Sequence, residues 1–489
     1  MKILRLLKAP LFYLLLIILG AFYVRLYKID SPIADWHSWR QVDTAAVTRS
    51  FIKDGFNPFY PKFDDISAIS ENPLVNPNRY RFVEFPIYNI FVYPLYLAFG
   101  INEMYHRLVS ALFSLGSIVF IYLITKKYAN TFTALTASFV FAFLPFSVYF
   151  SRTTLPEPTF LFFSLGMVYF VDRWISLNSL KRGIMAFIFT MVAFLIKPWA
   201  IFFTLPLIYS YLQKYHKIWP VKTKYLVFVI LALTPFLLWR LWIMQQPQGI
   251  PASSWLINSD EIRFRPAFWW WIISERIGRE ILGATGAVLF YIGIFIKPRN
   301  YFFHTWLLSS LLFIVIFATG NVRHDYYQIS IIPIASIFVA LGFYYLLKGS
   351  KNFLPRIVIV PVALLFFVLM FYFTWLQVKG FYQINNPAII EAGKKADVIL
   401  PKDALVVAPY NGDTAFLYQI NRPGFPFVPL PVTDLITQFN VTHYISTTKD
   451  DKTNWVMRHF KVLENNDNYV IVDLRETVNP LDFVNDPEK

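Results

Sequence analysis

Carboxylates and cations at the edges of apolar sequence are where this chain has the means to do chemistry. Asp35 and Asp43 bracket Asp35-Trp-His-Ser-Trp-Arg-Gln-Val-Asp43, and Glu84 stands in Val-Glu-Phe-Pro-Ile-Tyr, where polar sequence gives way to apolar sequence. A carboxylate fixed at such a boundary can act as a general base toward a hydroxyl or an amine. Asp43 opens Asp-Thr-Ala-Ala-Val-Thr-Arg-Ser-Phe, which predicts a helix with Asp43 as its N-cap. That role is worth about 1 kcal/mol, and it also holds the carboxylate in place for catalysis. Glu84 is costly at that depth unless partnered; the plainer reading pairs it with Arg79 or Arg81. Glu157, in Leu-Pro-Glu-Pro, is either a favourable acid in a helix's first turn or part of the same cavity.

An anionic ligand would need cations, and Arg152, Lys197, Arg263, Arg265, Arg323 and His324 are the candidates. Asn-Val-Arg323-His324-Asp-Tyr-Tyr-Gln reads as a helix start after a tight turn, offering backbone N–H groups and two basic side chains to a phosphate; the alternative is a solvated loop. Arg263 and Arg265, followed by Trp269, Trp270 and Trp271, equally describe an interfacial helix with aromatic anchors.

The elements that must position these groups are membrane helices. The chain has 489 residues, 56% hydrophobic and 15% charged, too little polar surface to cover a soluble domain. Runs long enough to span a bilayer recur at about 9–26, 105–125, 131–150, 157–175, 183–197, 199–213, 225–244, 281–296, 301–319, 327–347 and 357–376, predicting eleven spans. The fifth and sixth meet at Lys197-Pro198 and form either two helices turning at one face or one broken helix. An N-terminus inside gathers Lys2, Arg5, Lys8, Lys126, Lys127, Arg173, Lys181, Arg182, Lys214, Lys217, Lys222, Lys224, Lys297, Arg299, Lys348, Lys351 and Arg356 on the cytoplasmic side. Asp172 is the one acidic residue among them, whereas the first outer loop mixes both signs. The expectation is therefore a polytopic α-helical protein of the plasma (inner) membrane, with the N-terminus cytoplasmic and the C-terminal segment extracytoplasmic.

The predicted division is a transmembrane region over about 1–379 and a small α/β domain over about 380–489. Within the first lie an outer loop with a re-entry segment, about 27–104, and a second outer loop, about 245–280. In the C-terminal domain, 387–399 and 412–418 read as helices, 404–408 and 443–446 as strands, and 460–474 as a hairpin. The net charge of +15 is a topology signal rather than a nucleic-acid footprint, because the basic residues fall between apolar runs. Cysteine is absent, which excludes disulfides and Cys-ligated zinc. No Gly-rich nucleotide loop, zinc-binding His pair or nucleophile elbow occurs, and the first apolar run lacks a signal-peptide cleavage site.

Taken in order, the first span, the long outer loop with carboxylates, Glu84-Phe-Pro, and Arg323-His-Asp-Tyr-Tyr-Gln-Ile-Ser-Ile-Ile-Pro resemble the GT-C glycosyltransferases, in the protein O-mannosyltransferase and aminoarabinose-transferase branch, glycosyltransferase family 39. The resemblance implies a polyprenyl-phosphate-linked sugar as donor, an acceptor on lipid, glycan or protein, and an inverting displacement. It implies Asp43 as base with Asp35 as competitor, Glu84 orienting the acceptor or a divalent metal, and Arg323, His324, Lys197 and Arg152 on the donor phosphate. His37, Trp39, Arg40, Gln41, Glu157, Tyr326 and Tyr327 would line the substrate cavity. No cofactor is required by the residues themselves. One departure stands out: the family commonly has Asp-Glu about nine residues before an Ala-Arg-Asn-like stretch, and counting back from Thr48-Arg49-Ser50 that place holds Arg40-Gln41. Asp43 lies one helical turn further on. A lipid-linked oligosaccharide polymerase or ligase would carry its long polar loop late in the chain, and a transporter would carry charges or breaks within paired spans.

Overall fold

The computed structural model describes residues 9–72, 75–217, 219–348 and 355–480. Lys2, Arg5, Lys8 and Lys351, read above as topology signals, lie outside the described residues. The chain divides into two compact units, one formed by 1–29, 104–241 and 253–381, the other by 30–103, 242–252 and 382–489.

The first unit is helical. Each predicted apolar run falls on helix, but several helices are shorter or broken. Among the described residues four helical stretches have the length and apolarity to cross a bilayer, beginning at Glu103, Glu157, Thr223 and Arg356, and one bent pair passes the same test together. The run at 131–150 splits into Thr131–Phe143 and Pro145–Phe150. Pro145 cannot donate into the preceding turn. Leu180–Ile196 stops before Lys197-Pro198; a 3-10 turn and then Leu205–Tyr215 follow, so the fifth and sixth runs are separate helices. The run at 281–296 is the second arm of the bent pair: Pro266–Ile281 and Thr285–Ile294 meet at 117°. Gly283 at φ +57 makes the corner, and a Cβ there would lie 2.5 Å from the Met370 carbonyl oxygen. Thr223–Ile243 displays Leu226, Val229, Ile230, Leu237 and Leu241 to its surroundings, as lipid-facing helices do.

The second unit is built on a five-stranded mixed sheet ordered β2-β1-β3-β5-β4, with β1 Val406–Val407, β2 Gly424–Phe425, β3 His443–Ser446, β4 Phe460–Asn465 and β5 Val470–Thr477. β1 runs parallel to both β2 and β3; β5 runs antiparallel to β3 and β4. The predicted 387–399 helix and the 460–474 hairpin are present, while β2 and the helices Val432–Phe439 and Asp451–His459 were not anticipated. The first loop is part of this unit. Ile66 donates to the Gly424 carbonyl at 3.0 Å and Gly424 to that of Asp64 at 2.9 Å, extending the sheet past β2.

Thr285–Ile294 and Ile332–Lys348 touch backbone to backbone: a Cβ on Gly293 would lie 1.9 Å from the Phe338 carbonyl oxygen, and one on Gly342 would lie 2.0 Å from that of Leu289. Small residues permit such an approach. Gly342→Leu must force the pair apart, so its thermal unfolding midpoint in detergent should fall by several degrees relative to wild type, whereas Gly380→Ala, whose Cβ meets nothing within 4 Å, should leave the midpoint unchanged.

Candidate active site

In the second unit the helix Ser38–Lys53 carries the carboxylate region. Its N-cap is His37, in the left-handed region at φ 55, rather than Asp43. Asp43 sits in the second turn, 4% exposed, so the capping role expected of it is not the one it plays.

Arg40, Asp43, Thr44 and Val47 follow the helical repeat and line one face of a small cleft of about 10 Å³, room for a water molecule, together with Arg81, Glu84 and Asn89. The opposite face, with Val42, Ala45 and Ala46, packs against Ile389, Phe416 and Ile420. Asp43 accepts from the Thr414 hydroxyl at 2.6 Å and pairs with Arg81 at 2.7 Å. Glu84 is not paired with Arg79 or Arg81: both its oxygens accept from one Nη of Arg40, at 2.7 and 2.9 Å. Arg79 bonds Asp54 instead. Asp35 accepts from Gln41 Nε2 at 2.7 Å and is not among the residues of the cleft. Trp39 offers its carbonyl to Thr414 at 3.3 Å, and the His37 ring stands edge-on to Trp36. Asn89 fixes the helix by donating to the Thr44 carbonyl at 2.7 Å and the Thr48 hydroxyl at 2.8 Å.

The residues around Glu84 do not suit a divalent cation, because a guanidinium already meets both carboxylate oxygens. Among the described residues no three His, Cys, Asp or Glu side chains cluster as a metal site.

Sequence reasoning missed Thr414 and Asp413, which follow the central parallel strand β1. Loops at the carboxyl ends of parallel strands, where the strand order reverses, are where such groups gather, and that rule would have pointed to them. Asp413 accepts from the Ser38 hydroxyl at 3.2 Å and the Ala415 N–H at 2.7 Å. Burial nonetheless pushes its carboxyl up to about 6.

In the first unit the candidate cations make specific contacts. Glu157, in the first turn of Glu157–Leu177, is paired with Lys197, which follows the last turn of Leu180–Ile196. Each charge sits at the helix end whose dipole favours it. Lys197 also lies 4.7 Å from the Trp199 ring centroid and 5.7 Å from that of Tyr327. Arg152 is fully buried and donates to the Tyr27 and Lys28 carbonyls at 3.1 and 3.2 Å. Arg323 ends the short helix Ala318–Arg323 and lies 5.4 Å from the Trp255 ring centroid; His324 is extended and stacks on Tyr326, which packs edge-on against Tyr327. The helix start expected at Arg323-His324 is instead a helix end at Arg323, with His324 extended and a 3-10 helix, Asp325–Ser330, beginning after it. Arg263 reaches the Ile316 carbonyl at 2.7 Å and Arg265 that of Asp260 at 2.6 Å.

Two measurements follow. Asp413 binds its proton more tightly folded than unfolded, so its contribution to stability is present below its ordinary value of 3.8 and is lost as pH rises through about 6. Thermal midpoints of the full chain between pH 4 and 7 should fall less steeply in Asp413→Asn; Asp65, also pushed up to about 6 by burial, supplies a residual slope. Lys197→Met leaves the Glu157 carboxylate buried and alone, costing about 3–5 kcal/mol, and adding Glu157→Gln should recover most of the lost midpoint.

Residues 86–242 match the family model described as dolichyl-phosphate-mannose-protein mannosyltransferase. An uncharacterized protein of Aquifex aeolicus is 36% identical over 104 residues, which is 21% of this chain and only 25% of that relative's length. The crystal structure of ArnT from Cupriavidus metallidurans bound to undecaprenyl phosphate is similar with a TM-score of 0.66 at 11% identity, covering 94% of this chain and 97% of ArnT. The archaeal oligosaccharyltransferase AglB from Archaeoglobus fulgidus, in complex with an inhibitory peptide and a dolichol-phosphate, is similar with a TM-score of 0.56 at 11% identity, covering 96% of this chain and 76% of AglB. The chain thus has the GT-C glycosyltransferase fold, and its 86–242 segment is similar to the protein mannosyltransferases.

Proposed function

We propose that the chain is a membrane glycosyltransferase that moves a sugar from a polyprenyl-phosphate carrier to a hydroxyl or amine on a lipid, glycan or protein. The observation that carries this reading is the cleft beside Asp43, on a fold shared with ArnT. In this reading the first loop and the C-terminal segment face outward from the plasma membrane, in keeping with the charge asymmetry of the sequence.

The chemistry is a single inverting displacement. The acceptor oxygen or nitrogen attacks the anomeric carbon, the bond from that carbon to the phosphate oxygen breaks, and the phosphate leaves with the electron pair. The acceptor's proton passes to Asp43. With Thr414 on one oxygen and Arg81 on the other, the carboxylate is oriented and keeps further lone pairs for that proton. The Arg40–Glu84 pair positions the acceptor. Asp35, bound to Gln41 away from the cleft, is a structural residue in this assignment.

The test is transfer of radiolabelled sugar from a panel of polyprenyl-phosphate sugars into lipid, glycan and protein fractions. Asp43→Asn should lower transfer by about 10²–10⁴-fold, and Asp35→Asn should keep most of it. Unchanged transfer by Asp43→Asn overturns the base assignment, and consumption of no donor on the panel, with movement of the carrier lipid instead, overturns the enzyme reading.

A further inference from the structure

In the first unit, a groove of about 490 Å³ runs between the helices Glu157–Leu177, Leu180–Ile196, Leu205–Tyr215 and Thr223–Ile243. Its walls are apolar, with Phe194, Leu207, Ile208, Phe228, Val229 and Leu233 among them. Tyr211 and Tyr225 also line it, and this end is basic. The Lys222 ammonium lies 4.1 Å from the Tyr215 ring centroid, and that of Lys224 lies 4.9 Å from the Tyr225 ring. The Tyr215 and Tyr225 hydroxyls are 3.2 Å apart, joining the cations to the groove's mouth. Lys214 is committed to the helix end beside it, donating to the Ile175 and Ser176 carbonyls.

The charge is one-sided. Between residues 157 and 243 the sequence has two carboxylates, Glu157 and Asp172. Glu157 stands at the opposite end of its helix from Leu177, and Asp172 is buried and bound by Lys127, Tyr128 and Ser210. Arg173, Lys181, Arg182 and Lys217 add to the positive end, and Trp219 there is 80% exposed, as an interfacial anchor would be. An apolar channel that ends in lysines and tyrosine hydroxyls has the chemistry of a molecule with a long hydrocarbon tail and an anionic phosphate head.

We propose that this groove binds an anionic phospholipid of the bilayer, one acyl chain lying along Phe194, Leu207, Phe228 and Leu233 and the phosphate meeting Lys222 and Lys224. None of the groove's lining residues is assigned to sugar transfer, and the site requires only that these helices lie in a membrane. Its lysines therefore do more than set topology: they hold a structural lipid against four helices.

The experiment uses the purified full chain in neutral detergent, titrated with phosphatidylglycerol, phosphatidylcholine or undecaprenyl phosphate, with bound lipid read by native mass spectrometry and stability by thermal unfolding. Phosphatidylglycerol should bind and raise the midpoint, phosphatidylcholine should do neither, and K222Q/K224Q should lose about tenfold in affinity, Lys224 also giving up its bond to Asn178, so that affinity is compared with that of Asn178→Ala, which removes the bond but keeps the charge. Val229→Trp, which fills the groove, should block binding while leaving the lysines in place; Leu233→Phe serves if it does not fold. Equal binding of the two phospholipids, or full affinity in K222Q/K224Q, overturns the proposal by reducing the lysines to topology signals. Displacement of phosphatidylglycerol by undecaprenyl phosphate at equal concentration also overturns it, giving the groove to a carrier tail. Loss of sugar transfer in Asp43→Asn would leave all these outcomes untouched.

Discussion

Every side chain from Arg40 to Phe51 is buried, and that one helix dictates how the second unit is assembled. A buried polar group without a partner costs about 1–3 kcal/mol, and a buried charge costs more. Each such group on the helix therefore summons a partner from elsewhere in the chain. Arg40 takes Glu84, Gln41 takes Asp35, Asp43 takes Arg81 and Thr414, and Arg49 takes Asp64 and the Tyr418 carbonyl. Those partners belong to the polar loop on one side and to the C-terminal segment on the other. The same bonds that satisfy the helix also fix a carboxylate beside a cleft, so stability and site geometry rest on one set of contacts.

The helical unit obeys a related rule under a different solvent. In hydrocarbon no water answers a charge, so ionisable groups there are matched within the bundle. Glu157 meets Lys197 where the start of one helix adjoins the end of the next, and Asp172 gathers Lys127, Tyr128 and Ser210. Arg25, at the end of Pro10–Arg25, is fully buried and donates to the Ser114 and Ser151 hydroxyls and the Ala142 carbonyl. Aromatic rings fill much of the remaining space, and glycines open it where two backbones must touch, as at Gly293 and Gly342.

These constraints explain how a fold persists at 11% identity to ArnT. Satisfying every backbone group inside a bilayer demands helices, and many apolar sequences meet that demand. The polar loop is held to a stricter standard. Its Arg40 and Gln41 are buried and take Glu84 and Asp35 as partners.

The sequence by itself determined the membrane class, the positions of the apolar runs, the Pro387–Ile399 helix, the strand at His443–Ser446 and the terminal hairpin, because apolar periodicity, proline and asparagine act over a few residues. It also marked Asp35, Asp43, Glu84, Lys197 and Arg323 as residues with chemical potential. It misplaced the start of the Ser38–Lys53 helix by six residues, since capping competes with the path of the incoming loop. It offered Arg79 or Arg81 to Glu84, five and three residues away along the chain, when the structure gives Arg81 to Asp43 and Arg40 to Glu84. Which arginine meets which carboxylate depends on the register in which distant segments pack, and Asp43 finds Thr414 only because strand β1 delivers its loop there. Pairings over tens or hundreds of residues are selected by the burial of the whole unit, a property that no local stretch of sequence contains.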